Sequence, residues 1–136
     1  MLKLNVVGAI LFRGNRILCA QRGAGKFDYV SYKYEFPGGK IEPGESPEEA
    51  LHRELKEEMK INISIDDMHY FDEVEHEYPD FIIHMKTFIC PLGNEEIVLT
   101  EHNNIKWLLP EEMNDVDWAP ADFPIVNELI ERGTIN

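Results

Sequence analysis

Three glutamates near the middle of the chain have the spacing of a cation site. In a helix, Glu54, Glu57 and Glu58 would project from one face, because they are separated by three and four residues. They fall in the second half of the predicted helix, where the macrodipole disfavours negative charge, and Arg53 alone cannot balance three acids. Hard oxygen ligands in this arrangement favour Mg²⁺ or Mn²⁺. The alternative is a solvated acidic face, which is what most charge runs form.

The helix that would position these acids has unusually complete start signals. Ser46 is a good N-cap, Pro47 takes the first helical position, and Glu49 completes a capping box three residues after the cap. We predict a helix from there to about Lys60. Glu48 and Glu49 lie in its first turn, where acids suit the dipole, and are interpreted as solvated. The stripe predicted to face the core comprises Leu51, Leu55 and Met59.

The rest of the chain is predicted to be mainly strands. A hairpin turn is predicted at 13–16, and a loop at 23–33 whose aromatic residues either enter the core or cover a ligand. A helical turn is predicted at 110–113 and a closing helix at Phe123–Arg132, ended by Gly133. This pattern indicates one α+β domain, with a mixed sheet between helices. The predicted strands and apolar segments are 4–12, 17–21, 34–36, 61–65, 68–74, 81–90, 97–99 and 105–109.

Charge limits the classes of partner. The 136 residues include 26 acids against 13 Lys and Arg, a net charge of −13, without a basic stripe. Such a surface repels nucleic acid polymers and anionic membranes, so we expect neither as a partner. A small anionic substrate would need a locally bound cation. Without signal-peptide features, and with Cys19 and Cys90 predicted to be reduced core residues, the expected location is cytoplasmic.

The helix and the glycines before it form a recognisable signature. The chain contains Gly39-x5-Glu45-x7-Arg53-Glu54-Leu55-x-Glu57-Glu58-x-Lys60-Ile61. This segment, residues 39–61, resembles the box of the Nudix hydrolase family, and about one random starting point in ten million would match its six polar or glycine positions. Lys60 is the one departure, since the family usually has Gly there. The resemblance implies an α/β/α sandwich over residues 1–136, with the box as a loop–helix–loop beside the mixed sheet.

The resemblance also implies residue roles. Water would attack a phosphorus of a diphosphate bridge, releasing a nucleoside monophosphate and pyrophosphate. Glu54 and Glu58 would be the principal metal ligands, with Glu57 assisting and the carbonyl of Gly38 completing the set. Arg53 would orient the glutamates through charge-assisted hydrogen bonds. Behind them, Glu45 would support the metal site or remain an ordinary loop carboxylate. The general base is either Glu101 or Glu54, and the residues do not choose between them.

Segments flanking the box resemble the MutT-like and CTP pyrophosphohydrolase branch, in which homodimers are common. The matching segments are residues 34–40 and 119–122. By this resemblance Asp122 lies at the base pocket, where its oxygens would accept a hydrogen bond from an exocyclic amino group such as cytosine N4. Its alternative role is to cap the final helix.

Other candidates for substrate contact have equally open alternatives. Arg22 and Lys40 would bind phosphates or are simply surface charges, and Tyr78 and Phe81 would stack on a base or fill the core. We therefore expect a cytosine or modified pyrimidine nucleotide as substrate. An 8-oxo-dGTP-sanitising hydrolase is the nearest alternative, and an inactive nucleotide-binding module the next.

Overall fold

The computed structural model describes residues 1–25 and 27–133. Two short 3₁₀ helices, Ile65–Asp67 and Pro110–Asp115, accompany the main elements. In chain order these are β1 (Lys3–Arg13), β2 (Arg16–Gln21), β3 (Tyr34–Glu35), β4 (Gly38–Lys40), α1 (Pro47–Met59), β5 (His69–Glu77), β6 (Ile82–Pro91), β7 (Asn104–Leu108) and α2 (Phe123–Arg132).

The strands form one mixed sheet with a fork at its centre. β1 runs parallel to β6 along its length and antiparallel to its other partners, β2 and β4. β1 and β2 pair only beside their turn, through Phe12 with Ile17 and Arg13 with Arg16. Beyond that point the two strands separate, and β3 pairs with β2 while β4 pairs with β1. The segment between β3 and β4 therefore lies in the middle of the sheet.

Both faces of the sheet are covered, which confirms the α/β/α sandwich. On one face, α1 packs against alternate residues of β1, and on the other, Ile10 contacts the core beneath α2. Complete burial of each aliphatic side chain contributes about 1.5–3 kcal/mol to folding. The first core includes Val7, Ala9, Leu11, Leu51, Leu55 and Met59. The second includes Ile17, Cys19, Ile125, Val126 and Leu129.

The predicted boundaries of α1 are confirmed. The hydroxyl of Ser46 accepts a hydrogen bond from the Glu49 amide, and the Glu49 carboxylate accepts one from the Ser46 amide. At the other end, Lys60 adopts a left-handed conformation with φ 58° and ψ 31°. Its amide donates to the Lys56 carbonyl at 3.2 Å. A lysine in this conformation costs roughly 1–2 kcal/mol, and Gly would avoid that cost.

Two of the predicted strands were wrong. Residues 61–65 and 97–99 are not in the sheet, although Ile61 and Ile63 are buried in the core beneath α1 and Ile97 and Leu99 are partly buried there. The amide of Val98 instead donates to the Met59 carbonyl at 3.0 Å. The last carbonyls of a helix lack partners within the helix. The end of α1 therefore accepts the hydrogen bond from this segment that a neighbouring strand would otherwise accept. Conversely, residues 38–40 form the strand β4, whereas the strand predicted in this region ended at residue 36.

Two simpler expectations concern the cysteines and the membrane. Cys19 and Cys90 are free and buried, as predicted, and burial raises the pKa of each thiol to about 12. Within residues 1–25 and 27–133, no helix has the length and apolar character required to cross a bilayer.

Candidate active site

Arg53 joins the loop before α1 to the acidic face of the helix. Its Nε and Nη2 donate to the two carboxylate oxygens of Glu45, at 2.7 and 2.9 Å, and Nη1 donates to Glu54 at 2.8 Å. Nη2 also donates to the Lys40 carbonyl at 3.0 Å. The hydrogen bonds from Arg53 lower the pKa of Glu45 to about 2. This bidentate geometry fixes the guanidinium, so that Glu54 has a defined position.

The carboxylate of Glu54 lies directly against the glycine loop. A Cβ atom at Gly39 would be only 2.5 Å from Glu54 Cδ, so a side chain there would displace the carboxylate. Gly38 has a φ of 154°, and a Cβ there would lie 1.9 Å from the Val7 carbonyl oxygen. Both glycines are therefore required for the close approach of β4 to β1 and α1.

Glu58 is the buried member of the acidic trio. Its side chain is buried against the sheet, and Oε2 accepts a hydrogen bond from the Gly38 amide at 3.3 Å. Burial raises the pKa of Glu58 to about 9, with further contributions from the negative charges of Glu35, Glu54 and Glu101. Such a carboxyl ionises at neutral pH only if positive charge is brought beside it.

Glu57 is the exposed member of the trio. Its side chain is 58% exposed, and its carboxylate lies 3.5 Å from Arg53 Nη1. It therefore has freedom to reorient that Glu54 and Glu58 lack.

The chemistry of these donors fits a hard divalent ion. The carboxylates and the neighbouring backbone offer only oxygen ligands, which Mg²⁺ and Mn²⁺ prefer. In the described ranges, however, no three carboxylate, imidazole or thiol side chains lie close enough together to form a metal site as they stand. Arg53 holds Glu54, and the Gly38 amide holds Glu58. The side chains present would thus have to be drawn together by the ion.

Glu101 is held next to this cluster by the residue before it. The amide of Thr100 donates to the Glu58 carbonyl at 3.0 Å, and its hydroxyl donates to the carbonyls of Glu57 and Glu58. Thr100 thereby satisfies the end of α1. Glu101 itself is exposed and lines a cavity of about 330 Å³, together with Glu58, Gly38 and Gly39.

A larger, mainly apolar cavity of about 740 Å³ adjoins the first. Arg22 and Asp122 line both cavities, whereas Lys40 lines only the larger one. The apolar wall of the larger cavity comprises Leu2, Leu4, Val6, Phe27, Val30, Tyr78, Phe81, Ile83, Ala119 and Ala121. The structure therefore brings Arg22, Lys40 and Asp122 to one cleft with Glu58 of the box.

Asp122 begins α2 but does not cap it with its side chain. Its carbonyl accepts from Ile125 and Val126, whereas its Oδ1 accepts from the Phe36 amide at 3.4 Å. Burial raises the pKa of Asp122 well above its usual value, with the charge of Glu35 adding to the effect. The side chain is thus directed to the sheet and the cleft rather than to the first turn of α2.

The aromatic residues of the cleft pack mainly on one another. Tyr78 is 4% exposed, stacks on Tyr29 with ring centroids 5.0 Å apart, and accepts a hydrogen bond from the Ala121 amide. The ring centroid of Phe81 lies 5.1 Å from that of Tyr78 and 5.6 Å from that of Phe27. This arrangement favours the core alternative for Tyr78, although both residues also line the larger cavity.

Sequence reasoning assigned no role to two residues of the smaller cavity, Glu35 and His102. Glu35 bridges Arg22 and His102, and all three line the cavity. The available signal was a charged residue inside the short apolar strand at 34–36, which does not reveal its partner 67 residues away.

Comparisons with known proteins agree with this geometry. The model of the NUDIX domain family matches residues 2–129. A CTP pyrophosphohydrolase from Escherichia coli is 37% identical over 126 residues, covering 93% of this chain and 90% of the relative. An 8-oxo-dGTP diphosphatase from the same organism is 35% identical over 130 residues, covering 95% of this chain and 98% of the relative.

The fold comparison gives the same result. The solution structure of the E. coli ORF135 protein superposes with a TM-score of 0.81 at 35% identity, covering 96% of this chain and 91% of that one. With a family match across nearly the whole length, and relatives that are named pyrophosphohydrolases, the chain belongs to the NUDIX domain family and is a Nudix pyrophosphohydrolase.

Proposed function

We propose that this chain hydrolyses (deoxy)nucleoside triphosphates to a nucleoside monophosphate and pyrophosphate, with a preference for cytosine or modified pyrimidine bases. The observation that carries the base preference is the buried carboxyl of Asp122, which lies where the acidic cavity and the apolar cavity meet. A substrate with its phosphates beside the box glutamates would have its base near this group.

The end of the cleft beside the box, residues 39–61, would hold the metal ion; we call it the box end. Nudix hydrolases generally need a divalent metal, and Glu54, Glu57, Glu58 and the Gly38 carbonyl would hold Mg²⁺ or Mn²⁺ here. When bound, such an ion polarises a phosphoryl oxygen and lowers the pKa of a coordinated water. Arg53 would keep Glu54 oriented through its contacts with Glu45.

The phosphates would be bound by side chains at the cavity walls. Arg22 lines both cavities, and the exposed Lys40 lines the larger one. Each would place positive charge against an anion that otherwise faces Glu35, Glu101 and the box acids.

Two carboxylates are candidates for the general base. Glu101 is exposed at the rim of the smaller cavity, whereas Glu54 is committed to its hydrogen bond with Arg53. This difference favours Glu101, because a base must be able to take up a proton and release it. Turnover of Glu101→Gln at increasing pH tests the choice: loss of the ascending limb of the pH profile supports Glu101, and an unchanged limb supports Glu54.

The base preference follows from hydrogen-bonding chemistry. As a carboxylate, Asp122 would accept a hydrogen bond from cytosine N4, whereas its neutral form would pair with either cytosine or uracil. The O4 acceptor of uracil would face the carboxylate unfavourably. Apolar neighbours such as Ile83 and Phe81 would contact the faces of the base.

A panel of nucleoside triphosphates tests the proposal. CTP, dCTP, 5-methyl-dCTP, UTP, ATP, GTP and 8-oxo-dGTP would be compared with Mg²⁺ and with Mn²⁺, measuring pyrophosphate and phosphate separately. We expect pyrophosphate as product and the highest kcat/KM on a cytosine nucleotide. Equal kcat/KM across the bases would remove the base assignment, and release of phosphate alone would show that a different bond is cleaved.

A second candidate substrate is 8-oxo-dGTP. The relative named 8-oxo-dGTP diphosphatase covers almost the whole chain, and a cavity of about 740 Å³ has room for a purine. The ratio of kcat/KM for 8-oxo-dGTP and CTP separates the two candidates. Nucleotide binding without any metal-dependent hydrolysis would instead support an inactive binding module, which the complete set of box carboxylates disfavours.

A further inference from the structure

Three side chains form a hydrogen-bonded chain along one wall of the smaller cavity. Arg22 Nη1 donates to Glu35 Oε1 at 3.1 Å, and His102 Nε2 lies 3.0 Å from Glu35 Oε2. Each oxygen of Glu35 thus has its own partner. The chain connects the segment after β2, strand β3 and the segment after Thr100, which are far apart in sequence. All three residues line the cavity.

The hydrogen bond to Glu35 defines which ring nitrogen of His102 carries a proton. A carboxylate only accepts hydrogen bonds, so Nε2 of His102 carries the proton that it donates to Glu35. The His102 side chain is 4% exposed. Its Nδ1 is buried and has no hydrogen-bond partner in the ranges 1–25 and 27–133. A leucine or phenylalanine would fill the same space without leaving a buried polar atom unsatisfied, so packing alone does not explain a histidine here.

Arg22 is the member of the chain that would meet substrate. No other Arg or Lys among the described residues lines the smaller cavity, and four carboxyl groups do: Glu35, Glu58, Glu101 and Asp122. The Arg22 side chain is 42% exposed. A guanidinium with that much freedom loses conformational entropy when it binds an anion, unless another group already fixes its position.

We propose that His102 is a positioning residue for the hydrolysis: by holding one oxygen of Glu35, it orients the other oxygen so that Arg22 is fixed at the cavity wall for the substrate phosphates. This inference rests on the proposed function, because it gives Arg22 a phosphate to bind. It assigns to His102 no contact with the reacting atoms. The role of Glu35 is to transmit the orientation from one side chain to the other.

Substitution of His102 tests the contact with Glu35. In His102→Leu the donor to Glu35 is lost, and we expect KM for the best nucleotide of the panel to rise about tenfold, with a smaller change in kcat. In His102→Gln an amide N–H can replace Nε2–H, and most of the loss should be recovered. Thermal unfolding of each variant separates this effect from loss of the folded protein.

A second histidine–glutamate pair in the protein provides a matched control. His84 also makes an Nε2 contact with a glutamate, Glu73, but neither residue lines either cavity. His84→Leu removes the same kind of pair from a different part of the sheet. We expect its KM and kcat to match those of the unsubstituted protein.

Double-mutant cycles decide through which residue His102 acts. If His102 acts through Arg22, Arg22→Ala should raise the KM of the unsubstituted protein by about as much as His102→Leu does. In the His102→Leu background, Arg22→Ala should then have little or no further effect on KM. The second cycle uses Glu101→Gln. Coupling of about fivefold or more with Arg22, and additivity with Glu101, would support the proposal. Additivity with Arg22, or coupling with Glu101 alone, would overturn it, because His102 would then act through its own segment.

Failure of this inference differs from failure of the base assignment. The cycles use whichever nucleotide the protein turns over fastest, so a preference for a base other than cytosine leaves them interpretable. If no nucleotide is hydrolysed or bound, the proposed function itself is wrong and the inference is lost with it.

Discussion

The two ends of the cleft differ in the origin and character of their residues. At the box end, the carboxylates of Glu45, Glu54 and Glu57, which come from one loop and one helix, all contact Arg53. At the other end, the cavity is mainly apolar and is lined by residues of β1 and β6, by Phe27 and Val30, and by the segment before α2. The first end suits a metal and phosphates, and the second suits a base.

This difference separates chemistry from selectivity. The acids of the box end are costly in the folded protein, as the raised pKa of Glu58 indicates, and that cost is recovered only with a cation. The apolar end is stable without a ligand because its aromatic rings pack on one another. Changes at the box end should therefore alter turnover, and changes at the far end should alter the choice of base.

The largest effect should come from removing the charge of the buried box acid. Glu58→Gln is expected to lower kcat by about 1,000-fold or more at saturating Mg²⁺, because a proposed metal ligand is lost. Pyrophosphate release measures this. Glu48→Gln, in the first turn of the same helix, should retain full activity. Near-normal turnover of Glu58→Gln would contradict the assignment of the metal site.

The same substitution should stabilise the metal-free protein. The folded-state pKa of Glu58, about 9, exceeds its ordinary value of 4.5, so its ionisation opposes folding as pH rises between these values. Below pH 4.5 both states are protonated and this penalty is absent. We expect Glu58→Gln to exceed the unsubstituted protein in free energy of unfolding by on the order of 3 kcal/mol at pH 9, and by little at pH 4. Urea unfolding with a chelator present measures both values, and a difference independent of pH would refute the explanation.

Loss of Arg53 should weaken the box end without removing a metal ligand. Arg53→Ala leaves Glu45 and Glu54 without their shared partner, and kcat should fall about 100-fold. Arg53→Lys keeps the charge but not the bidentate contact, so it should recover little. Full activity in Arg53→Lys would show that charge, rather than orientation, is what this residue provides.

At the far end, Asp122→Ala should change selectivity rather than chemistry. The ratio of kcat/KM for CTP to that for UTP is expected to fall about tenfold, since one base-specific hydrogen bond is lost. The dependence of turnover on Mg²⁺ concentration should stay the same. If turnover of all nucleotides falls equally, Asp122 does not discriminate among bases and the contrast between the two ends is weakened.

The smallest effect should be found at the end of α1. Lys60→Gly relieves the left-handed conformation of a lysine, so the free energy of unfolding should rise by up to about 1 kcal/mol. Its kcat and KM should be unchanged, because Lys60 is exposed and lines neither cavity. A loss of stability in urea unfolding would mean that the lysine side chain makes a compensating contact.

The sequence predicted most of the box end and little of the far end. Ser46 and Glu49 defined where α1 begins, and Arg53 was expected to orient the glutamates; the structure contains both sets of contacts. These interactions lie within a few residues, so helical spacing is enough to predict them. The contact between Gly39 and Glu54 depends on how β4 enters the fork of the sheet, and β4 was not among the predicted strands.

By itself, the sequence determined the acidic helix, its caps, the glycines before it and the family to which they belong, because all of these depend on short-range spacing. Only the tertiary structure decided that Glu35 lies between Arg22 and His102, that the Asp122 side chain binds the Phe36 amide, and that Tyr78 packs in an aromatic cluster. Each of these contacts joins segments that the sheet brings together. Strand order and register determine which residues of these segments meet, and the spacing of residues along the chain does not predict either of them.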